Sequence, residues 1–336
     1  MAIIHKMLGQ PFQDNALYMR VESGQKTFRL LFDCGEMTIS ELSPSEVMKI
    51  DHLLFSHFHL DHVAGFDHFI RLNYNRSGKP VHIWGPEGTT KKVFNRLNSF
   101  CWNLLEKLET EWQIHELKGN TILHSVLRAK ERFGKIRQLA SEPFNGILLQ
   151  TPELKLTTLI LEHKIPVLGF KIEETDRQKV SAEKLEKMNL EAGPWLQQLL
   201  DFKTDDSQEI EINGHLYRIG NLRKDLLFTV KGDSLAYLTD FKIPEKNYQS
   251  LLDWLANTQI LYCESQYLNE DLELAQKNYH LTVGQAAKLA RMAEVEKLYL
   301  FHFSQRYKHR PVNHFIEEAR KIFINSFVWD SQKSKH

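Results

Sequence analysis

Residues Ser56-His57-Phe58-His59-Leu60-Asp61-His62 set three imidazoles and one carboxylate within six positions, directly after the apolar run Asp51–Phe55. No other stretch constrains the fold as much. The run reads as a buried strand, and the loop at its end turns neighbouring polar side chains onto a common point. Imidazole nitrogen and carboxylate oxygen suit zinc, with bonds of ~2.0–2.2 Å. One loop cannot fill two tetrahedral or five-coordinate metal sites, so further ligands must arrive from elsewhere. His163, Asp240 and His302 each follow a strand-like run, Leu154–Leu161, Leu235–Thr239 and Leu298–Phe301. Strand ends along one sheet edge converge on a single site.

Ala16–Val21, Thr27–Phe32, Val81–Trp84, Val167–Ile172, Leu226–Val230 and Ile260–Cys263 also read as strands. Helical spacing runs from Thr89 to about Lys107, over Ser181–Leu200 with a break at Gly193-Pro194, and over Phe315–Phe323. Thr282 and Gln285 form a capping box that opens a helix through about Met292. Residues 201–225 are polar and read as loop. Strands followed by helices in both halves predict α/β layers, with sheets between helices.

Composition narrows the function. Lys plus Arg (43) equals Asp plus Glu (43), which excludes a broadly basic protein that coats nucleic acid. Cys34, Cys101 and Cys263 lie far apart and exclude a disulfide framework. No run approaches the ~18 apolar residues of a membrane span, and Met1–Phe12 lacks a cleavable apolar leader. The expected location is the cytoplasm, without a membrane partner.

Taken in order, the motifs resemble the metallo-β-lactamase superfamily and, within it, the ribonuclease Z family. His57–His62 carries the superfamily resemblance. The narrower one rests on Phe32-Asp33-Cys34-Gly35-Glu36, on Gly85-Pro86 with Gly88, and on His163 with Val167-Leu168-Gly169-Phe170. It continues through Gly193-Pro194, His280-Leu281-Thr282 and His302-Phe303-Ser304-Gln305-Arg306-Tyr307. The resemblance implies a four-layer αβ/βα sandwich, the metallo-β-lactamase fold. It implies one catalytic domain over residues 1–336, with insertions at about 117–144 and 175–225, the latter a helical substrate arm. It also implies two zinc ions, with manganese or iron as alternatives. His57, His59 and His163 would hold one; Asp61, His62 and His302 would hold the other; Asp240 would bridge them. Asp61, Glu264 and His280 are implied as catalytic, and Ser304 and Arg306 as contacts to the scissile phosphate. The implied reaction is endonucleolytic cleavage of a tRNA precursor at its 3′ side by metal-activated water, in a homodimer.

The chain departs from the family pattern at Leu60, where glycine is usual. In the second insertion Glu183, Glu186, Glu191, Asp201, Asp205, Asp206, Glu209 and Glu211 offset the basic residues. The first insertion carries a basic run, Arg128, Lys130, Arg132, Lys135 and Arg137. Binding to a phosphate backbone draws on local positive charge. Two substrate classes therefore stay open: a tRNA precursor, and a cyclic nucleotide or other small phosphodiester or ester. The remaining histidines, His52, His82, His115, His124 and His336 among them, fit no ligand role.

Overall fold

The computed structural model describes residues 3–23, 26–244 and 246–329, so His336 lies outside the described residues. The chain divides into two compact units. One joins the residues up to Glu173 with those from Asp233 onward; the other is Glu174–Gly232.

The first unit opens with a sheet of β1 (Ile3–Leu8), β2 (Ala16–Ser23), β3 (Lys26–Phe32), β4 (His52–Leu54), β5 (Val81–Pro86), β6 (Glu111–Lys118) and β7 (Thr121–Arg128). Short strands β8 (Arg137–Gln138) and β9 (Glu142–Pro143) pair with β7. Strands β3 to β6 run parallel, flanked by antiparallel neighbours. The central strands alternate between two cores, as a period of two demands. Leu30, Phe32, Leu54 and Trp84 face a second sheet. Leu31, Leu53 and Ile83 face Phe69 and Ile70 of helix Phe66–Asn73 and Val93 and Leu97 of helix Thr89–Leu97. Burying each such side chain contributes about 1.5–3 kcal/mol, so a strand apolar on both faces holds its register firmly.

The second sheet begins with β10 (Ile147–Gln150), β11 (Leu154–Leu161) and β12 (Val167–Glu174). The chain then builds the second unit. There β13 (Arg177–Val180) pairs with β16 (Leu227–Val230), and β14 (Glu209–Ile212) with β15 (His215–Arg218). Leu185, Leu199, Ile210, Ile219, Leu222 and Leu226 give this unit a core of its own. Strands β17 (Ser234–Leu238), β18 (Ile260–Glu264), β19 (Lys297–Phe301) and β20 (Ser326–Val328) complete the second sheet, parallel to one another. Helices Tyr248–Leu255, Val283–Met292 and Asn313–Arg320 pack their apolar faces into the core on this sheet. The layers are therefore helix, sheet, sheet, helix. Thr282 and Gln285 close their capping box at the start of Val283–Met292. Among the described residues no helix is long and apolar enough to cross a membrane.

Two segments differ from the sequence expectation. The helix expected to reach Lys107 stops at Leu97. There Asn98 Nδ2 donates to Phe94 O at 2.8 Å and Ser99 Oγ to Arg96 O at 2.6 Å. Polar side chains that bond backbone carbonyls compete with continuation of the helix. Residues 201–225, expected as loop, hold the β14–β15 hairpin and most of helix Ile219–Leu226. Asn213-Gly214, both at positive φ (53° and 82°), turns the hairpin.

Candidate metal centre

Five parallel strands, two in the first sheet and three in the second, deliver polar residues at or just beyond their C-terminal ends. Asp33 follows β3, Ser56 and His57 follow β4, Asp240 follows β17, Glu264 ends β18, and His302 follows β19. His163 lies in the turn from β11 to β12. Asp33, Asp240 and His302 all adopt positive φ (59°, 48° and 58°). That region is uncommon for non-glycine residues and collects where structure is held for function.

The seven residues proposed as ligands come together. Ligand atoms of His57, His59, His163 and Asp240 lie within 4.8 Å of one another, as do those of Asp61, His62 and His302. Asp240, 2% exposed, sits between the two groups. Its Oδ2 is 3.4 Å from His57 Nε2, and its Oδ1 is 3.4 Å from both His62 Nε2 and His302 Nδ1. Asp61 is partly open, with its side chain 44% exposed, 3.3 Å from His302 Nε2 and 3.5 Å from His62 Nε2.

The far side of several rings is anchored. His62 Nδ1 bonds Asp33 Oδ2 at 2.8 Å, His57 Nδ1 bonds Ser56 Oγ at 3.0 Å, and His163 Nδ1 donates to Tyr279 O at 2.9 Å. Asp33 is a hub: it also accepts from Ser56 N at 2.7 Å and from the Tyr237 hydroxyl at 3.0 Å. Such outer partners fix tautomer and aim in metal sites. Asp33 entered the sequence reading only as part of a turn, and Tyr237 not at all. The aspartate that ends an apolar strand was the available signal; the tyrosine is one core residue among many until the sheets meet.

These anchors leave His57 Nε2 and His62 Nε2 buried without hydrogen-bond partners. The 3.4 Å separations around Asp240 are long for a hydrogen bond. They match the ~3.3–3.5 Å edge of a tetrahedron whose bonds are ~2.0–2.2 Å. The donor set of imidazoles and carboxylates fits divalent metal. Electrostatics agree. Burial pulls His62 down, but Asp240 and Asp33 raise it well above the usual imidazole range. His302, also lowered by burial, is lifted to about 9 by Asp240 and Asp61. Burial would raise Asp61 and Asp240; the neighbouring His302 and His62 rings hold both carboxyls well below their ordinary range. At His59 and His163 burial wins and the rings stay lowered. The centre is thus a concentration of negative potential walled by ring nitrogens.

Beside it, His280 Nδ1 is 3.0 Å from Glu264 Oε2, and the other oxygen of that buried carboxylate accepts from Phe241 N at 2.7 Å. A ring nitrogen of His280 lies within 4.8 Å of ligand atoms of Asp240 and His302. Ser304 and Arg306 are not drawn into this group. Ser304 Oγ accepts from Arg306 N at 3.4 Å, and Arg306 Nη1 lies 3.5 Å from Asp271 Oδ1. The basic run of the first insertion spans the end of β7, the single 3-10 turn Ala129–Glu131 and β8. Arg128, Lys130, Arg132 and Arg137 pair with Glu111, Glu109, Glu106 and Glu131.

The chain is 38% identical over 317 residues to a ribonuclease Z of Deinococcus radiodurans, covering 94% of this chain and 95% of that one. It belongs to the ribonuclease Z family. As a member it is an enzyme, a metal-dependent hydrolase. Residues 6–134 also match the family described as Anti-Pycsar protein Apyc1. Solved structures place the family's fold on this chain. The metallo-β-lactamase fold protein YhfI from Bacillus subtilis superposes with TM-score 0.57 at 14% identity, over 97% of this chain and 96% of its own. The short form of human tRNase Z gives TM-score 0.53 at 17% identity, over 90% and 93%.

Proposed function

We propose that the protein is an endonuclease that cleaves tRNA precursors at the 3′ side, using two zinc ions. The placement of the Glu264–His280 pair against the shared His/Asp cluster carries this reading. His57, His59 and His163 would hold one ion and Asp61, His62 and His302 the other, with Asp240 between them. When bound, such ions supply Lewis-acid charge for phosphoryl oxygens and lower the pKa of water.

The chain's own groups supply the rest. Asp61, open to solvent and kept ionised by His302 and His62, orients the attacking water and accepts its proton. Burial pulls His280 down, but the Glu264 carboxylate raises it above the ordinary imidazole range, which favours the protonated ring. Glu264 fixes the ring through Nδ1, and the opposite N–H gives its proton to the leaving 3′ oxygen. Ser304 and Arg306 follow His302 directly and contact the scissile phosphate. For this, Arg306 exchanges Asp271 for the phosphate oxygens, which its planar fork binds in pairs. The Glu174–Gly232 unit serves as the substrate arm. We place the enzyme in the cytoplasm as a homodimer; its three free cysteines suit a reducing compartment.

The test compares zinc-loaded protein on a tRNA precursor and on bis(p-nitrophenyl) phosphate. A single cut at the 3′ side of the precursor is expected. Turnover of the small diester alone would overturn the tRNA assignment. It would favour a small-phosphodiester hydrolase, in keeping with the Lys187–Glu183, Arg218–Glu209 and Arg223–Asp206 pairs that occupy cations of the arm.

A further inference from the structure

The parallel strands of the first sheet carry the metal centre at their C-terminal ends. At the opposite ends of β4 and β5 lies a cavity of about 370 Å³ lined by Lys26, Arg29, Asp51, His52, Lys79 and His82. A second cavity, of about 450 Å³, shares Arg29, Asp51 and Lys79 with it and adds Lys49 and Arg76. Five cations therefore line the pair of cavities against one carboxylate, in a chain whose formal net charge is zero. That carboxylate is engaged. Asp51 Oδ2 accepts from Arg29 N at 3.0 Å, and its Oδ1 is 3.7 Å from both Arg76 Nη2 and Lys79 Nζ. Lys26 reaches outward to Glu153 at 3.3 Å. With Lys26 set against Glu153, the other four cations against one engaged aspartate still leave a positive excess.

The histidines of this cavity are held in a defined state. Trp84 Nε1 donates to His52 Nδ1 at 3.1 Å. An indole N–H only donates, so His52 Nδ1 is the acceptor and the proton of the neutral ring sits on Nε2. That N–H belongs to a buried ring on the cavity wall. His82 is fixed from behind: its Nδ1 is 3.0 Å from His115 Nε2, and His115 Nδ1 is 2.7 Å from His124 Nδ1. The four imidazoles form a row across β4, β5, β6 and β7, with the His52 and His82 rings 4.8 Å apart. No part of the proposed catalysis uses this row.

We propose that these joined cavities bind a small phosphate-type dianion, with Arg29 and Lys79 at their junction and the His52 Nε2–H as a preset donor. Excess positive charge supplies the attraction. The histidine row supplies rigidity, since a donor fixed before binding loses little entropy on contact. The site lies at the other end of the strands from the metal centre, so occupancy there and occupancy at the metals are separate events.

Inorganic phosphate is titrated into the zinc-loaded protein while the ring nitrogens of His52 and His82 are followed by nitrogen-15 NMR. A parallel arm uses a short RNA oligonucleotide. Phosphate should shift both rings with saturation. The double variant Arg29→Gln/Lys79→Gln should weaken that response about tenfold or more, the loss expected for removing charge-assisted hydrogen bonds. Its turnover of bis(p-nitrophenyl) phosphate in phosphate-free buffer should stay unchanged, which also reports that it is folded. Should the double variant be inactive, Lys79→Gln decides, because that side chain is 73% exposed. Unmoved rings, equal affinity in the variant, or a response to RNA alone would each overturn the proposal. None of these readouts depends on which substrate the metal centre cleaves.

Discussion

At the ends of β4, β11 and β19, imidazoles point ring nitrogens at a shared space and at carboxylates. Across β4 to β7, four other imidazoles of the same unit point theirs chiefly at one another and at an indole, and a carboxylate near the row, Glu142 at 3.6 Å from His124 Nε2, is an exposed one. The two groups are similarly buried, but only the first contains rings driven upward, while His59 and His163 of that group stay lowered like the row. His302 is lifted to about 9, whereas burial and neighbouring rings lower His52 to about 3 and His115 to about 2. The difference lies in the carboxylates. Asp33, Asp61 and Asp240 stand within hydrogen-bonding or ion-pair range of the first group. Clustered imidazole alone therefore does not make a cation site. Imidazole aimed past an anchored partner toward a buried carboxylate does.

The sharpest way to break this comparison is to remove the carboxylate that three rings share. Asp240→Ala should lower metal content and abolish hydrolysis. Loss of a mere outer partner costs about 10–100-fold in metal affinity, so more than about 100-fold is expected here, read by metal analysis after dialysis. Full retention of both metals would show that Asp240 is not a ligand. His280→Ala comes next. Turnover should fall about 10²–10⁴-fold, the range for a lost general acid, with metal content intact. Metal loss in that variant would move His280 from acid to ligand. Asp33→Asn, which keeps the shape but removes the charge behind His62, should cost about 10–100-fold in metal affinity.

Sequence reached the first group because its chemistry is local or punctuated. His57 to His62 is one loop, and each distant partner closes an apolar run. Strand ends on one edge of a sheet converge for reasons of topology, so convergence could be expected without coordinates. The histidine row was illegible for the complementary reason. His52, His82, His115 and His124 sit inside or at the start of strands, and only the register of β4 to β7 makes them neighbours. A one-residue slip would turn any of them to the other face. Strands β6 and β7, which carry two of the four, were not read as strands either, because Glu116, Ser125 and the histidines break the apolar pattern. The β14–β15 hairpin is a different case. Asn213-Gly214 was a readable turn signal, but the surrounding acids masked the alternation of Ile210 and Ile212. Arg306 shows a third limit, since sequence proximity to His302 says nothing about its hold on Asp271.

The row also yields the smallest expected effect, and its sign is opposite to that of a paired histidine. In the unfolded chain His52 and His115 take up a proton near pH ~6.5. In the fold they resist until about 3 and about 2. Above pH ~6.5 both states are neutral there and the row adds no pH dependence. Below it the unfolded chain binds more protons, and stability falls as pH falls. Each ring contributes at most about 1.4 kcal/mol per pH unit, or about 2 kcal/mol between pH 6.5 and pH 5. His115→Gln should therefore be less stable than the parent at pH 7, by about 1–3 kcal/mol for its two broken links. That gap should then narrow toward pH 5, because the parent carries a penalty the variant lacks. Denaturant melts of both proteins at the same pH cancel whatever the metal centre contributes. A gap that stays constant from pH 7 to pH 5 would mean that His115 protonates as readily in the fold as outside it. The two groups of histidines would then differ in position only, not in charge state.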